Sequence, residues 1–102
     1  MQEAARLLRE FSSGKTFADY QGDAMLRAAV EREFTIIGEA VARLASTDPA
    51  VASRISGHRR IIAFRNVLIH GYTVVDNQIV WDVLQNELPT LATEVEALLT
   101  PD

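Results

Sequence analysis

Arg65, Asn66, His70 and Tyr72 fall in one short, otherwise apolar run, AFRNVLIHGY from Ala63 to Tyr72. Ile61, Ile62, Phe64, Leu68 and Ile69 claim most of the surface of the helix this run predicts, so four polar side chains there need a reason. Histidine is the side chain that gives or takes a proton near neutrality. Arginine keeps its charge and presents a planar donor fork suited to phosphate oxygens. Together they suit phosphodiester chemistry. On an unbroken helix Arg65 and Tyr72 lie nearly on one line, while Asn66 and His70 pair one turn apart. Gly71 after His70 predicts a left-handed C-terminal cap that swings Tyr72 back across the helix end. Either geometry brings Arg, His and Tyr to one small region. The competing reading is packing: the Arg65 stem covers apolar surface, Asn66 and His70 bond locally, and Tyr72 is core with a wet tip.

The spacing of Arg65, four residues, His70, one residue and Tyr72 resembles the R-x4-H-x-Y motif of the HEPN superfamily, in particular its HepT-like branch. Ile36-Ile37-Gly38-Glu39-Ala40 resembles the IGEA segment of that branch on the preceding helix. Gly14-Lys15-Thr16-Phe17 with Asp19-Tyr20 resembles its first interhelical turn. Ile79-Val80-Trp81 and Leu88-Pro89-Thr90-Leu91 resemble its final helix. Four separated motifs in order extend the resemblance over nearly the whole chain. Glu33 and Thr35 depart from it, standing where the HepT-like pattern often shows Asn and Glu. Such relatives also usually begin with further helical residues, so the start at Met1 reads as a shortened first helix.

The resemblance implies a toxin of a toxin-antitoxin pair: a metal-independent endoribonuclease, without a cofactor, that dimerises through the motif region. His70 and Arg65 would be the catalytic pair and Asn66 a positioning group for phosphate or His70. Tyr72 would contact RNA and also receive AMP from a minimal nucleotidyltransferase antitoxin, the second expected partner. Glu39 would face the motif helix and orient His70 or Arg65; the alternative is a surface pair with Arg43, one turn on.

Charge distribution supports an anionic partner at one end of the molecule. The chain is acidic overall, with a net charge of -4, which by itself argues against affinity for phosphates. Yet from Pro49 to Val75 there are four arginines, Arg54, Arg59, Arg60 and Arg65, both histidines and no acid. Six basic residues against fourteen acidic ones leave -8 elsewhere. Arg59 and Arg60 also occupy the first turn of the motif helix, where positive charge opposes the helix dipole. They are the further candidates for RNA contact.

With 102 residues, no cysteine and no apolar run of membrane-spanning length, one domain over 1–102 is expected, cytoplasmic, with no disulfide, thiolate metal site or membrane segment. The pattern predicts an all-α antiparallel bundle of four main helices plus a short helical turn. The first helix runs from Met1 to Ser12, with Ala4 or Ala5, Leu8 and Phe11 on one side. Lys15 to Gly22 reads as a turn with Phe17 and Tyr20 packed inward. Asp23 caps a long helix to about Ala45, striped by Leu26, Val30, Phe34, Ile37, Val41 and Leu44. Met25, Ala29, Ile36 and Ala40 form a second apolar line, and Gly38 marks a close helix approach. Pro49 to Ile55 is one short turn, and the motif helix runs from about Gly57 or His58 to His70. After β-branched Thr73-Val74-Val75, Asp76 or Asn77 caps a last helix that Pro89 kinks, with Trp81 a core anchor.

Two other functions fit the same residues. One is a module whose Arg65/His70 pocket docks a nucleotide or the transferase without turnover. The other is a dimeric scaffold whose motif is an interface network.

Overall fold

Short polar side chains start most of the helices. In the computed structural model, which describes residues 1–70 and 75–99, the first helix α1 (Gln2–Ser12) buries Ala4, Ala5 and Leu8 and half-buries Phe11. A capping box opens α2 (Phe17–Gly22). The Asp19 N–H donates to Thr16 Oγ1 at 3.2 Å, and the Thr16 N–H donates to the Asp19 carboxylate at 2.9 Å. The predicted turn is therefore helical from Phe17 onward, because the box satisfies two orphan donors at once. The Thr16 N–H also holds the Asp19 carboxyl below its ordinary range.

Asp23 caps the long helix α3 (Ala24–Thr47), accepting from the Leu26 N–H at 3.0 Å. Its main stripe packs as expected, with Val30, Phe34, Ile37 and Val41 buried and Leu26 and Leu44 half-buried. The second line does not hold at its start. Ala29, Ile36 and Ala40 are half-buried, but Met25 is 84% exposed, because among the described residues nothing covers that side of the first turn. The predicted one-turn alternative of Glu39 with Arg43 does not close into an ion pair, nor does Arg27 with Glu31, also one turn apart. Arg27 donates instead to the backbone carbonyl of Gln21.

Asp48 caps the short α4 (Pro49–Ala52), where Pro49 costs no hydrogen bond at the first position. The motif helix α5 (His58–His70) follows. Asp76 then caps α6 (Asn77–Asn86), accepting from the Gln78 N–H at 2.9 Å. The single kinked helix expected at the end is two helices, α6 and α7 (Leu88–Leu99). Pro89 has no N–H to donate and its ring crowds the preceding turn, so the chain breaks at Glu87 rather than bending through. The Glu87 N–H closes α6 on the Val83 carbonyl at 2.9 Å, and the Leu91 N–H starts the next ladder on the Glu87 carbonyl at 3.1 Å.

The result is an all-α bundle of seven helices among the described residues. The long α3 is its spine, with α1, α2, α4 and α5 packed along it; α7 packs on α1 and α6, and α6 on α2. The core runs from Leu8 through Val30, Phe34, Ile37 and Val41 to Val80, Leu84, Leu88, Leu91 and Val95. No helix among the described residues is long and apolar enough to cross a membrane.

Tyr20 is fully buried, 5.5 Å from Trp81 between ring centroids, and its hydroxyl has no hydrogen-bond partner among the described residues. Burial, reinforced by the Glu31 charge, pushes its ionisation up to about 12 from 10.0. The unfolded chain therefore releases this proton before the folded one does. Stability is expected to hold below the unfolded value and to fall as pH rises from about 10 to 12. Tyr20→Phe should remove that slope and keep or raise stability near neutrality, because an unpaired buried hydroxyl costs roughly 1–3 kcal/mol. Urea unfolding of both proteins at pH 8 and pH 11 measures this; an equal alkaline loss in Tyr20→Phe would assign the slope to another group.

Candidate functional site

α5 lies on the flank of the bundle: among the described residues it buries none of its residues fully, its principal neighbour is α3, and Ile61, Ile62, Phe64 and Leu68 pack against the core. Ile61, Ile62, Phe64, Arg65 and Leu68 are half-buried, while Arg59, Ala63, Asn66, Val67, Ile69 and His70 are exposed. Successive spacings of four, three and four place Arg59, Ala63, Asn66 and His70 on one exposed line. Two of the candidate site residues, Asn66 and His70, thus face outward one turn apart, as their spacing predicts.

Arg65 leaves the helix elsewhere. At about 100° per residue it lies roughly 140° around the axis from His70. Its stem runs beside α3 over Gly38, where a Cβ would stand 2.6 Å from Arg65 Cγ. Gly38 does mark a close helix approach, and Arg65 is the residue that approaches. The Arg65 Nε is buried without a hydrogen-bond partner among the described residues, and no carboxylate there pairs with the guanidinium. The Arg65 stem is held in place by packing, and among the described residues no acid pairs with its charge.

Glu39 is exposed, with no hydrogen bond or ion pair to Arg65, His70 or Arg43 among the described residues. Tyr72 and Gly71, with Thr73 and Val74, lie outside the described residues, and with them the predicted left-handed cap.

The two arginines of the first turn differ. Arg59 is exposed and unpaired among the described residues. Arg60 meets an acidic partner within its own chain: its Nη2 is 3.6 Å from Glu87 Oε2, with both side chains well exposed. Such a pair contributes little to stability. The Arg60 head also lies over Gly57, whose φ of +68° suits a residue without Cβ. Nearby, the Ser56 N–H donates to Glu94 Oε2 at 2.7 Å, tying the start of α5 to α7. Glu87 and Glu94 were invisible as partners in the sequence because both contacts are long-range.

Beside α5 lies an apolar groove of about 600 Å³, floored by Phe34, Leu88 and Leu91 and walled by Ile61, Phe64, Val67 and Val83. Phe34 and Phe64 meet edge to face in it, 5.3 Å apart. The Arg60 and Glu87 pair stands at its rim. No three His, Asp or Glu side chains cluster as metal ligands among the described residues.

Comparison with known proteins agrees with the sequence motifs. Residues 1–98 match the family model described as ribonuclease HepT-like. A protein of Caldanaerobacter subterraneus, provisionally named an RNase, is 33% identical over 99 residues, covering 97% of this chain and 87% of that protein. A second provisionally named RNase, from Methanocaldococcus jannaschii, is 30% identical over 94 residues, covering 92% of this chain and 85% of the relative. A Thermococcus cleftensis protein named "Probable ribonuclease HepT" is 31% identical over 96 residues, covering 94% and 86%. No solved structure matches at the same level. A match spanning residues 1–98, together with three relatives covered over most of their length, shows that the chain belongs to the HepT-like family of the HEPN superfamily.

Proposed function

We propose that this protein is the toxin of a toxin-antitoxin pair, a metal-independent endoribonuclease acting as a homodimer of HEPN-type bundles with four main antiparallel helices. The observation that carries this reading is the surface of α5. It presents Asn66 and His70 to solvent on one face and, on another, carries Arg65 unpaired among the described residues, in a stretch from 49 to 75 that contains no carboxylate. Cleavage through the RNA 2'-hydroxyl needs a base for the attacking oxygen and an acid for the leaving one, yet each chain offers one motif histidine. A two-fold axis beside α5 supplies His70 twice. One His70 takes the 2'-hydroxyl proton as that oxygen bonds to phosphorus. Its mate protonates the departing 5'-oxygen. The products are a 2',3'-cyclic phosphate and a free 5'-hydroxyl. The two Arg65 guanidinium groups stabilise the charge on the phosphorane oxygens, Asn66 positions the phosphate, and Arg59, Arg60 and Tyr72 hold neighbouring RNA. Dimerisation draws support from Val67 and Ile69, apolar residues 56% and 42% exposed on the same helix.

The antitoxin in this reading is a minimal nucleotidyltransferase that places AMP on Tyr72. The added anion would occupy the space and the charge that RNA phosphate needs. The test is cleavage of total cellular RNA in EDTA by protein whose intact mass shows Tyr72 unmodified. Fragments ending in cyclic phosphate are expected. An unmodified, folded dimer that cuts neither total RNA nor tRNA would leave α5 as a docking surface for nucleotide or transferase.

A further inference from the structure

Gly38 is the lone glycine of α3, and it sits where α5 crosses. Helical glycine is costly, by roughly 1 kcal/mol against alanine, so its place there calls for a compensating contact. The contact is with the root of Arg65 rather than its tip. A Cβ at residue 38 would stand 2.6 Å from Arg65 Cγ, closer still to Cβ, and 3.5 Å from Cα. A long side chain can swing its far end away from an intruder, but its Cβ moves only with the backbone. Any side chain at 38 must therefore push α5 off α3 at this point. Among the described residues α3 is the principal neighbour of α5, so the displacement would tilt α5 about the ties at its start, Arg60 with Glu87 and Ser56 with Glu94. It would carry Arg65 and, through the helix, Asn66 and His70.

We propose that Gly38 is a positioning residue for Arg65: its missing side chain fixes the height and rotation of α5 on α3, and so where the guanidinium emerges. The role in catalysis rests on the ribonuclease reading; the contact itself does not. In a site built from two copies, an outward shift in each chain is applied twice, and misplacement by about 1 Å can cost on the order of 100-fold in rate.

Two measurements test this. In the first, kcat and KM for RNA cleavage are compared for wild type, Gly38→Ala and Val30→Ala, a core variant about two turns from Gly38 on the same helix, below the melting point of all three. Gly38→Ala is expected to lose at least about 30-fold in kcat with KM within about 3-fold, whereas Val30→Ala keeps its kcat. The second is a double-mutant cycle in melting temperature with Arg65→Gly, which reads the contact without activity. Gly38→Ala should lower Tm by on the order of 10 °C in the wild-type background. In Arg65→Gly the nearest atom is Cα at 3.5 Å, an ordinary contact, and the same change should raise Tm through helix propensity. An equal drop in both backgrounds, or a folded Gly38→Ala with undiminished kcat, overturns the proposal. A wild-type protein that cuts no RNA overturns the ribonuclease reading and the catalytic role of Gly38 with it, a result distinct from either because the cycle still measures the contact.

Discussion

His70→Ala is expected to lower RNA cleavage by about 100- to 10,000-fold, the range that general acid–base catalysis supplies. In a symmetric dimer one substitution removes both the base and the acid, which puts the expected loss at the upper end. The change should be nearly silent in stability. His70 is exposed on the last turn of α5 and bonds to nothing among the described residues, and surface changes of this kind usually alter stability by less than about 0.5 kcal/mol. The pairing of a large rate effect with an unchanged melting temperature separates catalysis from folding. It is measured by single-turnover cleavage beside thermal unfolding. A folded His70→Ala dimer that cuts RNA at the wild-type rate would remove His70 from the mechanism.

Trp81→Ala is expected to have the largest effect on folding. The indole is 9% exposed and stacks at tilted angles on Tyr20 and Phe17, with centroids 5.5 and 6.5 Å away. These rings join α6 to α2, whose six residues pack otherwise on α3. Truncation removes the indole and leaves a cavity that two helices cannot both close, at a cost of about 3–5 kcal/mol. That is much of the roughly 5–15 kcal/mol that a domain of this kind has. Urea unfolding should show a midpoint lowered accordingly, with Trp81→Phe recovering part of the loss. A cost below about 1 kcal/mol would mean that the Tyr20 and Phe17 rings repack without the indole.

Local signals in the sequence located most of the elements, because caps and stripes are themselves local. Asp23 caps where its position predicts, Asp76 is the cap among the two candidates Asp76 and Asn77, and α5 starts at His58, one of its two expected starts. Two elements were misread for physical reasons. The Thr16 to Asp19 box turns a predicted loop into a helix, with Asp in the role usually filled by Glu or Gln. Pro89 divides the last helix instead of kinking it because Glu87 can end one ladder and begin the next. The site was legible to a different degree. Spacing alone put Asn66 and His70 together, and Gly38 announced a close approach. Its partner was not legible, since which residue of one helix crosses another depends on their mutual rotation. Nor was the Arg60 pairing with Glu87, which joins elements far apart in the chain. Glu39 illustrates the limit: a carboxylate on the right helix stays exposed, without a bond to Arg65 or His70 among the described residues.

In the proposed reaction RNA is cut at a site that two copies of α5 build together. The most direct measurement is specific cleavage activity in EDTA across a dilution series of the unmodified protein, with the dimer fraction determined at each concentration. Activity that rises and falls with the dimer fraction, and is absent from monomer, is the expected result. Cleavage that is independent of the dimer fraction, or absent at every concentration, would contradict it.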